Sequence, residues 1–216
     1  MGTDKIKVLL VDDHELVRTG LEHLLNSDPD IDVIATSDSG EQAVNLAETL
    51  NPDIIMMDLN MPGIGGLEAI KRILRRQEGA KIIALSVYED GPIPSQAIRY
   101  GAKGYINKGC DVNEMLKAVI KVYQGKNFLS SDVATNLAFQ PTAASAANCF
   151  DVLSSRELQV TTKIIDGHKI ADIAAALSIS PKTVNTHRYR VHEKLGIKND
   201  IELVRLALES GSLINV

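Results

Sequence analysis

The sequence predicts two dissimilar domains: a doubly wound α/β domain with a five-stranded parallel sheet, followed by a smaller all-α domain of four helices. In residues 1–126, five short apolar runs alternate with stretches of helical spacing, whereas residues 149–216 contain helical patterns and no strand pattern. Strands joined by helices form right-handed βαβ units, which build a parallel sheet covered by helices on both faces.

Strand and helix patterns alternate regularly through the first domain. The apolar runs are Ile6–Val11, Val33–Thr36, Ile54–Met57, Ile82–Leu85 and Gly104–Ile106. Between them, apolar residues recur every three or four positions in segments 16–25, 43–50, 67–74 and 115–122. Pro52 follows the second of these segments and Gly125 the fourth, as is typical of residues that end helices. This pattern predicts a small flavodoxin-like domain.

The segment 127–148 separates the two domains. Ser130–Phe139 is predicted to form one short helix. Gln140–Asn148 is predicted to be a linker, because its residues are small or polar and carry no charge. We therefore place the first domain at residues 1–126 and the second at residues 149–216.

The second domain carries signals for helix starts and stops. Ser154 and Glu157 form an S-x-x-E capping box, and Gly167 ends the helix that the box begins. The helices that follow are predicted at Ile170–Leu177, Pro181–Leu195 and Ile201–Leu208, with Ser180 as an N-cap and Gly196 as a stop. Two short helices joined by a tight turn within a four-helix unit indicate a helix-turn-helix.

Composition and charge exclude several classes of protein. No apolar run approaches the ~18 residues of a membrane span, and the N-terminus enters a strand pattern without the zones of a signal peptide. Cys110 and Cys149 are far apart and do not form a CxxC pair, so a disulfide framework is not expected. We therefore expect a cytoplasmic protein that does not associate with membranes.

The two halves of the chain differ in charge. Residues 1–126 contain 14 basic and 19 acidic residues, whereas the remainder contains 9 of each. Within Lys182–Lys198, five basic residues accompany a single acid. An acidic first domain and a locally basic helix in the second indicate different partners for the two halves.

Polar residues follow four of the five predicted strands. Asp12 and Asp13 follow the first strand, Asp58 the third, Ser86 the fourth and Lys108 the fifth. In doubly wound sheets ligands bind beyond the carboxyl ends of the strands, where these groups would meet. Carboxylates gathered there require a cation, and Mg²⁺ with its oxygen ligands is the natural one. The pattern therefore indicates a phosphoryl-transfer site, although any one aspartate after a strand is more often a helix cap or turn residue.

The first domain resembles the receiver domain of two-component response regulators. The segments that carry the resemblance are VLLVDDHELVRTGL, IIMMDLNMPGIGGLEAI, ALSVYED and GAKGYINKG, in order and at the right spacing. The resemblance implies that Asp58 is the phosphoacceptor, and that Asp13, Asp58 and the backbone carbonyl of Asn60 bind Mg²⁺ while Asp12 acts through water. It also implies that Ser86 and Lys108 hold the phosphoryl oxygens.

Tyr105 is assigned by this resemblance as an aromatic switch that changes rotamer when Ser86 is drawn toward the phosphoryl group. From the residues alone, a packed strand aromatic with its hydroxyl at the surface is the favoured alternative. Residues 91–94 (GPIP) depart from the receiver pattern where the fourth helix of the domain begins. Two prolines are compatible with a first helical turn but not with a helix interior.

The third helix of the second domain, Pro181–Leu195, is predicted to contact nucleic acid. Val184, Val191 and Leu195 form its buried stripe, and polar residues form the opposite face. Asparagine can bind adenine, threonine can contact the thymine methyl group, and lysine and arginine can contact phosphate or guanine. A charged face that contacts only water is the alternative.

The segment from LSSRELQV to EKLGIKN resembles the LuxR/FixJ-type DNA-binding domain. Together with the receiver it places the chain with the NarL/FixJ class, in which it is similar to the GacA/UvrY-type global regulators. By position, Asn185, Thr186 and Tyr189 face bases, and Lys182, Thr183, Arg190 and Lys194 anchor phosphates. Arg188 and Tyr189 depart from the class, so its DNA preference does not transfer.

The function expected from these features is that of a phosphorylation-gated transcription factor rather than an enzyme. A histidine kinase would phosphorylate Asp58, and the active form would bind double-stranded DNA as a homodimer. Its candidate dimer face is the last helix, near Leu203, Leu206 and Leu213, unless these residues only close the four-helix core. Two alternatives stay open: a metal-dependent phosphohydrolase, which lacks any GxSxG, Walker or HExxH motif here, and a regulator that binds DNA without phosphorylation.

Overall fold

Six parallel strands form the sheet of the first domain, in the order β2-β1-β3-β4-β5-β6. The computed structural model describes residues 5–89, 92–139 and 149–209, so the predicted linker Gln140–Asn148, Gly91 and Leu213 lie outside the described residues. The strands are β1 (Ile6–Val11), β2 (Ile31–Ser37), β3 (Ile54–Asp58), β4 (Ile82–Ser86), β5 (Gly104–Asn107) and β6 (Phe128–Leu129).

The sheet has one strand more than the five predicted. β6 contains two residues, and it pairs only with Gly104 and Tyr105 of β5. A strand of this length has no alternation of apolar and polar residues, which explains why the sequence pattern did not reveal it.

Helices cover both faces of the sheet. They are α1 (Glu15–Asn26), α2 (Gly40–Leu50), α3 (Gly65–Arg76), α4 (Pro92–Arg99) and α5 (Val112–Tyr123). Successive strand residues face opposite sides, so Leu9 packs in the cluster with α2, α3 and α4, whereas Leu10 packs in the cluster with α1 and α5. Pro92 and Pro94 occupy the first turn of α4, as expected from the geometry of proline.

The second domain is all-helical within the residues that are described. After α6 (Ser131–Phe139) and a 3₁₀ turn (Cys149–Val152), its helices are α7 (Ser155–Ile165), α8 (Ile170–Ala176), α9 (Pro181–Leu195) and α10 (Asp200–Glu209). The predicted capping box is present at the start of α7, where the Ser154 backbone donates to Glu157 Oε2 at 2.8 Å. Gly196 ends α9 in the left-handed conformation, with φ of 68°.

The last helix closes the four-helix core. Leu203 and Ala207 of α10 are fully buried, and Leu206 packs partly against the same core. Leu203 is therefore a core residue rather than part of a dimer face. The apolar residues that α10 exposes are Ile201 and Leu208.

The two domains pack against each other through α7 and α3, and through the 3₁₀ turn and α4. Gln96 Nε2 of α4 donates to the Phe150 carbonyl oxygen at 3.5 Å, and Arg99 of α4 forms an ion pair with Asp151. Among the described helices, none is both long and apolar enough to cross a membrane.

Candidate functional site

The predicted acidic cluster forms at one edge of the sheet. β1, β3, β4 and β5 are consecutive neighbours, so the polar residues that follow them or end them converge. Asp12, Asp58 and Ser86 are completely buried there, and the side chain of Lys108 is 14% exposed. The topology therefore brings together groups that lie up to 96 positions apart in the sequence.

Lys108 bridges two buried carboxylates. Its Nζ lies 2.7 Å from Asp12 Oδ2 and 2.8 Å from Asp58 Oδ2. Burial raises the pKa of Asp58 to about 6, although the charge of Lys108 opposes this shift. Burial alone would lower the pKa of Lys108, but the carboxylates of Asp58 and Asp12 raise it overall. Lys108 is therefore a fixed positive charge beside a carboxylate that titrates near neutrality.

Backbone amides hold the other carboxylate oxygens. The amide of Asn60 donates to Asp58 Oδ1 at 2.9 Å, and the amide of His14 donates to Asp12 Oδ1 at 2.9 Å. These bonds fix the two carboxylates without using the oxygens that face the centre of the cluster. The arrangement suits a site in which the carboxylates are positioned before any ligand arrives.

The acidic cluster fits a divalent cation. Ligand atoms of Asp12, Asp13, His14 and Asp58 all lie within 4.8 Å of one another. Asp13 Oδ1 is buried and receives no hydrogen bond among the described residues, and the ring nitrogen His14 Nδ1 lies 2.9 Å from it. Carboxylate oxygens of this kind are the ligands that Mg²⁺ prefers. His14 was not among the predicted site residues, although it directly follows the acidic pair.

A glycine lets α3 approach the end of β3. A Cβ atom on Gly66 would lie 2.0 Å from the carbonyl oxygen of Asp58 and 2.7 Å from Cα of Leu59. No side chain fits between these backbone segments without moving one of them. The position of Asp58 thus depends on the absence of a side chain at residue 66.

Tyr105 is fully buried in β5, and its hydroxyl donates to the backbone carbonyl of Tyr88 at 2.6 Å. The alternative that its hydroxyl lies at the surface is therefore wrong. The amide of Tyr88 in turn donates to Ser86 Oγ at 3.1 Å. Tyr88 links the two residues assigned to the switch. It lies within the segment ALSVYED that carries the receiver resemblance, but the resemblance assigned it no role.

The second, helical domain lies over the acidic cluster. A cavity of about 320 Å³ lies between the domains, with Asp13, His14, Asn60 and Tyr88 on one side. Leu158, Gln159, Thr162 and Lys163 of α7 line the other side. Tyr88 crosses this boundary, because its hydroxyl donates to Asp166 Oδ2 at 2.9 Å. No pattern in the sequence indicates these contacts between the domains.

α9 presents the predicted polar face to solvent. Val184 and Val191 are fully buried beneath the helix. Lys182, Thr186, Tyr189 and Arg190 are exposed, while Thr183 and Asn185 are partly buried. The exposed fraction of Tyr189 is 68%. This face is accessible even though the two domains are in contact.

Three other basic residues of α9 bind acids within their own domain. Lys194 Nζ lies 2.6 Å from Glu157 Oε2, a buried carboxylate whose pKa is lowered because this bond and the bonds to Ser154 outweigh burial. Arg188 Nε and His192 Nε2 both contact Asp200 Oδ1, at 2.7 and 3.0 Å. The ammonium group of Lys194, which was predicted to anchor a DNA phosphate, is thus paired with a carboxylate of its own domain.

Comparison with known proteins gives consistent matches for both parts of the chain. Residues 8–120 match the response regulator receiver domain, and residues 151–207 match the luxR family of bacterial regulatory proteins. The chain is 44% identical to the response regulator GacA of Pseudomonas aeruginosa over 209 residues, covering 95% of this chain and 97% of that one. It is 42% identical to the response regulator UvrY of Escherichia coli K12 over 207 residues, covering 95% of each.

A solved structure also matches both domains. The complex of the two-component response regulator RcsB with DNA aligns with a TM-score of 0.60 and 26% identity, covering 96% of this chain and 99% of that chain. The likeness therefore extends over the sheet domain and the helical domain together.

Proposed function

The chain belongs to the response regulators that join a receiver domain to a luxR-family DNA-binding domain, and we propose that phosphorylation of Asp58 by a histidine kinase controls its binding to DNA. The family comprises transcriptional regulators, not enzymes. The observation that carries the proposal is the pair of ion contacts of Lys108, which places a fixed positive charge 2.8 Å from Asp58 Oδ2 in a buried acidic cluster.

The proposed reaction is transfer of a phosphoryl group to a carboxylate. An oxygen of deprotonated Asp58 attacks the phosphorus of the phosphohistidine, the P–N bond breaks, and the histidine leaves with a proton from solvent. Lys108 neutralises charge on the phosphoryl oxygens, and the hydroxyl of Ser86 donates to one of them. The amide of Asn60 keeps Asp58 in place through its bond to Oδ1.

Mg²⁺ is the proposed cofactor of this site. Asp13, Asp58 and the backbone carbonyl of Asn60 would hold it, with Asp12 acting through water. When bound, it would supply positive charge that offsets repulsion between the carboxylates and the incoming phosphoryl group. The convergence of ligand atoms from Asp12, Asp13, His14 and Asp58 within 4.8 Å of one another supports this assignment.

The DNA-binding role is assigned to the exposed face of α9. We propose that Asn185, Thr186 and Tyr189 contact bases and that Lys182, Thr183 and Arg190 contact phosphates. Phosphate contact by Lys194 stays a prediction. A DNA phosphate would have to compete with Glu157 for the ammonium group of Lys194. The proposed domain limits are 1–126 and 149–216, with 127–148 between them, although β6 of this middle segment pairs with the sheet of the first domain.

The active form is proposed to be a homodimer on double-stranded DNA. Helix-turn-helix dimers place two recognition helices at half-sites about one helical turn apart or a multiple of it. The exposed residues Ile201 and Leu208 of α10 offer an apolar patch for this contact.

Phosphoryl uptake by Asp58 is tested with acyl phosphate and Mg²⁺. Intact mass should show one added phosphoryl group on the wild-type protein and on the control Asp38→Ala, which changes an exposed aspartate. Asp58→Ala should take up none. Labelling of Asp58→Ala would overturn the assignment, and turnover of a phosphate ester without stable labelling would favour the hydrolase.

The consequence for DNA binding is measured on the same samples by gel shift. Phosphorylated wild-type protein should bind a site selected from random DNA at least several-fold more tightly than the unmodified protein. Equal affinity before and after acyl phosphate treatment would instead favour a regulator that binds DNA without phosphorylation.

A further inference from the structure

Hydrogen bonds of Tyr88 connect the switch residues to the DNA-binding domain. Its amide donates to Ser86 Oγ at 3.1 Å, and its carbonyl accepts from the Tyr105 hydroxyl at 2.6 Å. Its own hydroxyl donates to Asp166 Oδ2 at 2.9 Å. One residue therefore touches both members of the switch through its backbone and the second domain through its side chain.

The surroundings of Tyr88 favour this bond in the closed arrangement. The residue is half-buried and lines the cavity between the domains together with Ile93 and Leu158. Burial and the charge of Asp166 raise the pKa of the Tyr88 hydroxyl, so it stays a donor. Asp166 is the C-cap residue of α7, the helix that covers the acidic cluster.

Two other polar contacts between the receiver and the second domain lie at α4. The Arg99–Asp151 ion pair and the bond from Gln96 to Phe150 join α4 to the 3₁₀ turn. Neither contact involves Ser86 or Tyr105. These contacts hold the domains together through α4 rather than through Tyr88.

We propose that Tyr88 is a positioning residue that couples an anion on Asp58 to release of α7 through its hydrogen bond to Asp166. The inference rests on the proposed function, in which Ser86 moves toward the phosphoryl group. Movement of Ser86 displaces the Tyr88 amide, and the Tyr105 hydroxyl follows the Tyr88 carbonyl. The Tyr88 hydroxyl then leaves Asp166, and the contact between the domains opens.

Tyr88→Phe removes the hydroxyl alone and keeps the ring, the amide and the carbonyl. Asp166→Ala breaks the same bond from the second domain, without touching the receiver. Arg99→Gln is the matched control, because it weakens the contact between the domains at a place remote from the switch. All three substitutions are made in the full chain.

The measurement is the ratio of open to closed molecules, with and without beryllofluoride and Mg²⁺. Beryllofluoride binds aspartate carboxylates as a stable analogue of the phosphoryl group. Spin labels at the exposed positions Lys117 and Lys198, in a background lacking the native cysteines, report the ratio as a distance distribution. Binding of the anion is followed separately by ¹⁹F NMR.

We expect beryllofluoride to raise the ratio about tenfold in the wild-type protein, in line with typical coupling between sites. Tyr88→Phe and Asp166→Ala should raise the ratio without the anion and leave less than a twofold response to it. Arg99→Gln should also raise the starting ratio, yet keep the full tenfold response.

A wild-type response in both Tyr88→Phe and Asp166→Ala would overturn the inference, and so would an equal loss of response in Arg99→Gln. Binding of the anion without any opening of the wild-type protein would overturn the inference while leaving Asp58 as the acceptor. Failure of the anion to bind would overturn the proposed function and this inference together.

Discussion

The acidic cluster and the exposed face of α9 hold their functional side chains in opposite ways. Asp12 and Asp58 are completely buried, and each is fixed by a backbone amide and by Lys108. Tyr189, by contrast, is 68% exposed on α9. The proposed chemistry at Asp58 requires groups positioned in advance, whereas the exposed side chains of α9 are free to adapt to a partner. Substitutions in the cluster should therefore change stability and function together, whereas substitution of the side chains on α9 that are proposed to contact DNA should change affinity alone.

The largest effect is expected where the cluster meets α3. Gly66→Ala should lower the free energy of unfolding by about 3 kcal/mol, because the new Cβ would overlap the Asp58 backbone. Urea unfolding measures this loss. Gly20→Ala is the control: it lies within α1 with no atom within 4 Å of the new Cβ, and should stabilise by about 0.5–1 kcal/mol. Equal effects of the two substitutions would remove the argument for close packing at Asp58.

A second expectation concerns the buried charge of Asp58 in metal-free protein. Its pKa is raised from 3.8 to about 6, so between these values the folded state binds more protons than the unfolded state. Stability of the wild-type protein therefore falls, relative to Asp58→Asn, as the pH rises from about 4 to 7. The change should reach about 2–3 kcal/mol in urea titrations with EDTA. A difference between the two proteins that does not grow with pH would contradict a desolvated Asp58.

The face of α9 should show the opposite behaviour. Asn185→Ala should weaken binding to a selected DNA site by about 10–100-fold, corresponding to the loss of one base contact. Its urea midpoint should stay close to that of the wild-type protein, because Asn185 belongs to the polar face. Glu193→Ala, exposed on the same helix, is the control and should leave specific binding intact. A loss of stability that matches the loss of affinity would break the contrast between the two regions.

Lys182 and Lys194 allow the same comparison between DNA affinity and stability to be made within one helix. Lys182→Ala should reduce the slope of log affinity against log salt by about one, as expected for one lost phosphate contact. Lys194→Ala should leave that slope unchanged. It should instead lower stability by about 1 kcal/mol, since Glu157 loses its partner and Lys194 is partly screened by solvent. A reduced slope for Lys194→Ala would restore its predicted role at the DNA backbone.

The positions of the acidic residues could be predicted because sheet topology leaves little choice. Residues that follow neighbouring parallel strands must meet at one edge, which fixes Asp58 near Lys108. Helix limits at Ser154 and Gly196 could also be predicted, because capping depends on residues within a few positions. In each case a local pattern and one geometric rule were sufficient.

Contacts between distant polar groups were not predictable. Tyr88 and Asp166 lie 78 positions apart in different domains, and Lys194 and Glu157 lie 37 positions apart. Each pair depends on how the helices and loops pack in the folded protein. A single tyrosine or lysine in the sequence does not indicate which acid it will contact. The exposed face of α9 was predicted from the spacing of its residues. The ion pair that draws Lys194 toward Glu157 could be seen only in the folded structure.

The position of α7 over the acidic cluster has a consequence for timing under the proposed function. A phosphoryl donor would reach the cluster through the gap between the domains, and the water that hydrolyses the proposed acyl phosphate would use the same gap. How often the domains part would then govern both how quickly a signal is recorded and how long it persists. A looser contact between the domains would give faster phosphorylation and a shorter lifetime of the phosphorylated form.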